Sequence, residues 1–97
     1  MTMINLTAAF HAKEDLEQEL HLLLSAMIEP TRKEKGCLSY RLFKNADDAA
    51  RFTFQEQFVD QQAFDFHCQQ PYFQDLLKQL DGVLREEPVI TFYEEVE

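Results

Sequence analysis

FQEQFVDQQAFDFHCQQPYF, residues 54–73, joins a strand to a helix, and the helix to a proline restart, within twenty positions. Phe54, Glu56 and Phe58 recur at every second position, the period at which side chains share one face of a strand. Asp60 follows where the alternation stops, and an aspartate there can accept a hydrogen bond from the first free N–H groups of a helix. That helix is short. It runs to about Cys68 and carries His67 near its end, and Pro71 then restarts a second helical piece, since proline suits a first helical position. A titratable helix residue and an ionisable strand residue are thereby directed toward a common pocket.

The flanking sequence completes the pattern. Upstream, Met3 to Phe10 alternates as a strand. From about Lys13 to Ile28, Leu16, Leu20, Leu23, Leu24, Met27 and Ile28 fall at helical spacing, with Glu14, Asp15 and Glu17 in the first turn, where the helix dipole favours acids. Pro30 ends or kinks this helix. Cys37 to Lys44 reads as a second strand, Asn45-Ala46-Asp47-Asp48 as a turn, and Arg51 to Val59 as the third strand. After Pro71, Phe73, Leu76, Leu77 and Leu80 form an apolar face, and a last strand is expected from about Pro88 to Val96. The order β-α-β-β-α-β predicts an α+β, ferredoxin-like sandwich with an antiparallel sheet and helices on one face. The opposite register carries Met3, Cys37, Phe43, Val59, Val89 and Tyr93, more apolar than a solvated face requires, which suggests burial in a homodimer.

Composition narrows the function classes. The 97 residues form a single domain, residues 1–97, with nine phenylalanines and 45% hydrophobic residues to supply one core. Two glycines leave no material for a phosphate-cradling loop, and a net charge of -9 disfavours nucleic acid and anionic membranes. The N-terminal residues lack a basic, apolar leader, so a cytoplasmic setting is expected, with Cys37 and Cys68 as free thiols. His11, His21 and His67 stand apart, and adjacent His67 and Cys68 diverge by about 100° on a helix, so no metal is implied.

Three fragments carry a resemblance. Glu34, Gly36, Cys37, Leu38 and Tyr40 look like a glutamate-x-glycine-cysteine-leucine-x-tyrosine motif, with Lys35 where proline is usual. Glu56, Phe58, Asp60 and Ala63 look like a strand end that often reads glutamate-x-tryptophan, with Phe58 as the aromatic. His67 and Pro71-Tyr72 look like a histidine followed four and five residues later by proline and an aromatic. In this order and spacing the chain resembles the antibiotic biosynthesis monooxygenase family, small dimeric α+β barrels that include quinol monooxygenases.

The resemblance implies a cofactor-free monooxygenase that acts with molecular oxygen on a quinol or polyphenol-like small molecule, whose substrate supplies the electrons. His67 is the leading catalytic candidate, because imidazole titrates near neutrality. Glu56 is the second, with a pairing to Arg41 as its structural alternative. Asn5, Phe58, Phe66, Tyr72 and Phe92 are the substrate-binding candidates, as aromatic walls or hydrogen-bonding groups. A branch of the same superfamily that degrades a small quorum-signalling molecule by isomerisation has a similar histidine segment, and a non-catalytic dimeric module that binds a small ligand would share the fold. The haem-degrading branch fits less well, since this chain has no tryptophan and carries Leu76-Leu77-Lys78 where a later axial histidine is usual.

Overall fold

The computed structural model describes residues 2–97, in the order β1 (Ile4–His11), α1 (Glu17–Ser25), α2 (Ile28–Arg32), β2 (Cys37–Lys44), β3 (Arg51–Phe58), α3 (Gln61–Cys68), α4 (Pro71–Gln79) and β4 (Val89–Tyr93). The strands form one antiparallel sheet, ordered β2-β3-β1-β4. Leu6, Ala8 and Phe10 of β1 and Phe52, Phe54, Glu56 and Phe58 of β3 all point to the helix-covered face and are buried there. Leu20 and Leu24, one helical turn apart on α1, close over them with Met27, Leu76, Leu80 and Val83. The expected α+β sandwich is the observed fold.

Local chemistry explains where the elements start and stop. The first helix begins at Glu17, later than the expected Lys13. The Lys13 N–H is bonded to the Val83 carbonyl at 2.8 Å, Ala12 bridges Leu84, and Asp15 adopts a left-handed φ of 71°. The same helix ends at Ser25, before Pro30 rather than at it. A continuous helix would need a donor on residue 30 for the Ala26 carbonyl, and proline has none. Pro30 instead falls in the first turn of α2, where N–H groups have no helical acceptor.

The β2–β3 turn is held by Asn45, whose Oδ1 accepts from the N–H groups of Asp47 at 2.8 Å and Asp48 at 3.1 Å. Asp60 caps α3 by accepting from the Ala63 N–H at 2.8 Å, and Pro71 opens α4. β4 is shorter than expected, ending at Tyr93, and the acidic residues after it are exposed.

Helices cover one sheet face only. The other presents Asn5, Thr7, Ser39, Arg41, Phe43, Thr53, Gln55, Gln57 and Tyr93. Cys37 does not belong to it. A bulge between Cys37 and Ser39 shifts the register, so Cys37 pairs with Phe58 and packs against the core. Both cysteines are free thiols, and among the described residues no helix is long and apolar enough to cross a membrane.

Candidate active site

The site forms where the loop after α2 meets α3 and the start of α4. Residues 33–36 carry the chain from α2 to β2, and Gly36 lies so close to α3 that a Cβ there would stand 2.3 Å from the Ala63 Cβ. This approach draws Glu34 inward, until it is 8% exposed. Its Oε2 lies 2.9 Å from His67 Nδ1, and the Tyr72 hydroxyl donates to the same oxygen. Tyr72, Glu34 and His67 therefore form one hydrogen-bonded line, from a half-buried phenol to a buried ring. The second carboxyl oxygen, Oε1, is buried and has no hydrogen-bond partner among the described residues.

His67 is only 1% exposed, enclosed by the rings of Tyr40, Phe58, Phe64 and Phe73 at centroid distances of 5.6, 5.1, 6.4 and 5.2 Å. It is part of the packing as well as of the polar line, so truncating its side chain would open a cavity among these rings. The contact between His67 Nδ1 and Glu34 Oε2 fixes the orientation of the ring against the carboxylate.

Glu56 sits on the same sheet face, paired across the strands with Tyr40 on one side and Leu6 on the other. The alternative pairing to Arg41 is not formed, because Arg41 is one residue out of phase with Tyr40 and its guanidinium lies over the Phe43 ring on the opposite face. Among the described residues Glu56 has no ion-pair partner. Burial, reinforced by repulsion from Glu34, pushes its carboxyl up to about 8. The Tyr72 phenol is also pushed up, by burial and then by donating its proton to Glu34. Burial raises Cys37, with Glu34 and Glu56 adding to the effect, and takes Cys68 to about 11, so neither thiol is primed as a nucleophile.

Outside this line lies a groove of about 560 Å³, mostly apolar, whose walls include Pro30, Glu34, Ala63, Phe66 and Tyr72, with Lys33 and Lys35 beside them. The binding candidates thus separate. Phe66 and Tyr72 line the groove. Phe58 is fully buried beneath His67 and acts as packing floor. Phe92 stands half exposed on β4, edge-on to Phe64 at 5.6 Å and outside the groove lining. Asn5 is on the opposite sheet face, accepting from Gln57 Nε2 at 2.8 Å, because its odd position in β1 is out of phase with Leu6. Glu34 is the group that residue reasoning did not single out as chemical. No group of three His, Cys, Asp or Glu side chains among the described residues has a metal-holding arrangement.

With this geometry the chain can be compared with known proteins. The sequence model of the family described as antibiotic biosynthesis monooxygenase matches residues 3–79. The chain belongs to that family. A Mycobacterium tuberculosis protein, Rv0793, provisionally named a monooxygenase, is 34% identical over 84 residues, covering 87% of this chain and 82% of its own. The uncharacterized Synechocystis protein sll1783 is 32% identical over 81 residues, which cover 84% of this chain but 55% of that protein. The solved structure of Rv0793 superposes with a TM-score of 0.93 at 29% identity, covering 99% of this chain and 97% of that one. SO0527 from Shewanella oneidensis gives 0.91 at 34% identity, with 97% and 91% covered.

Proposed function

We propose that the chain is a cofactor-independent monooxygenase acting on a quinol or polyphenol-like small molecule, whose phenolic proton is removed in the aromatic-lined groove. The observation that supports this reading is the hydrogen-bonded line Tyr72–Glu34–His67 at the groove wall. A phenol lying against Phe66 would place its hydroxyl at the Tyr72 end. Proton transfer toward the Glu34–His67 pair then leaves an electron-rich phenolate, the form that reacts with oxygen. One oxygen atom is retained in the product and the other leaves as water, the four electrons coming from the substrate. Glu56, which changes charge near neutral pH beneath this layer, serves as a second proton-holding group. The functional unit is a homodimer joined through the uncovered sheet face, in a cytoplasmic setting that keeps both thiols reduced.

The test is oxygen uptake by the purified protein over a panel of quinols and phenolic polyketides, with ¹⁸O-labelled dioxygen and product masses recorded. His67→Gln keeps a hydrogen-bonding side chain near Glu34 but does not titrate. It is expected to lower turnover by about two to four orders of magnitude, the scale for loss of a general base. Products carrying no label would replace oxygenation with a proton-transfer reaction such as isomerisation. Unchanged turnover in the variant would remove His67 from the chemistry.

A further inference from the structure

We propose that the groove takes a phenolic acid, a hydroxylated aromatic ring bearing a carboxylate, with the hydroxyl at the Tyr72–Glu34 end and the carboxylate at Lys35. The inference takes the groove of the proposed function as its site and narrows the substrate class. Three observations converge on it.

The hydroxyl end is set by Glu34. Its Oε2 is occupied by His67 and Tyr72, while Oε1 is buried without a donor among the described residues. Tyr72, on the groove wall, spends its one hydroxyl hydrogen on Glu34, so its oxygen offers a ligand only an acceptor: a ligand hydroxyl can donate to it, whereas an ether at the same place cannot. The middle of the groove is apolar and bounded by Phe66 and Ala63, which suits a ring.

The charged end is set by the loop itself. The chain carries 18 acidic residues against nine basic ones, yet three of those nine, Arg32, Lys33 and Lys35, fall within four positions. Arg32 is engaged inward, its Nε donating to the Tyr40 carbonyl at 3.0 Å. Lys33 pairs with Glu29 at 3.2 Å. Lys35 lines the groove and makes no ion pair among the described residues. On a chain of net charge -9, Lys35 is, among the described residues, the unpaired cation at this groove, where a carboxylate would be drawn and held.

Binding of 4-hydroxybenzoate, its methyl ester and 4-methoxybenzoate, followed by amide chemical shifts of the full chain, tests the assignment without depending on oxygen consumption. The acid is expected to bind at least about tenfold more tightly than either control near 20 mM salt, with shifts at Ala63, Phe66 and Gln70. The gap to the ester should narrow near 300 mM salt, and Lys35→Gln should close it while leaving the gap to the methoxy compound. An ester that binds as well as the acid, an unaffected gap in Lys35→Gln, shifts mapping elsewhere, or no binding at millimolar concentration would each overturn the inference. Oxygen uptake with neutral quinols but no phenolic-acid binding would remove this substrate class and leave the monooxygenase reading standing. Selective binding without any oxygenation would do the reverse.

Discussion

At the residue scale, Glu34 beside a buried imidazole and Glu56 one layer below are two carboxylates that the fold removes from water. Glu56 has the sharper consequence. Its carboxyl titrates at about 8 in the folded chain and near the ordinary glutamate value when unfolded. Between those two values the folded state binds the extra proton, so stability falls as pH rises and levels off above about 8. Glu56→Gln removes the titration. Denaturant unfolding at pH 5 and pH 9 should show the wild type losing on the order of 4 kcal/mol more than the variant across that interval. Equal losses would mean that Glu56 is solvated in solution. Glu56 was legible in the sequence, because an acid in phase with Phe52, Phe54 and Phe58 must be buried. Glu34 was not, because an acid between Lys33 and Lys35 reads as solvated loop, and only the approach of Gly36 to Ala63 carries it inside.

At the scale of elements, that approach is the contact on which the site depends. Gly36 and Ala63 bring the start of β2 against the first turn of α3, and the Gly36 carbonyl accepts from the Val59 N–H at 2.9 Å, tying the loop to the end of β3. Gly36→Ala would place two methyl groups in overlap with no flexible side chain to yield. It should cost about 1–3 kcal/mol in unfolding free energy and lower turnover with it, as Glu34 is displaced from His67. Gly36→Ala combined with Ala63→Gly reopens the space and should recover most of that loss, apart from the lower helix propensity of glycine. A single variant as stable as the wild type would show that the loop and α3 can separate freely. The order of elements was legible because each strand alternates and each helix has its own stop signal. The break before Pro30 was displaced from expectation because proline acts four residues upstream, on the carbonyl it fails to satisfy.

At the scale of the whole molecule, the chain is two layers, 20 Å in its thinnest direction, with a sheet covered on one side. The uncovered face is mixed, but its polar groups are partly satisfied within the face: Gln57 donates to Asn5, and the Thr7 and Tyr93 hydroxyls lie 3.0 Å apart. Groups paired laterally lose less when water is removed, so this face can be buried at lower cost than its composition suggests. Phe43, Val89 and Tyr93, each more than a third exposed, supply apolar area around them. Two such sheets packed face to face would add the missing layer. The chain should therefore sediment as a dimer at micromolar concentration. Thr53→Asp, which sets an unpaired charge between Ala9 and Phe43 on that face, should shift it toward monomer while leaving the far-UV circular dichroism intact. A wild type that sediments as a monomer would remove the dimer claim. A dimer indifferent to Thr53→Asp would place the interface elsewhere, with the half-exposed Ile90 and Phe92 on the helix side of β4 as the next surface to test.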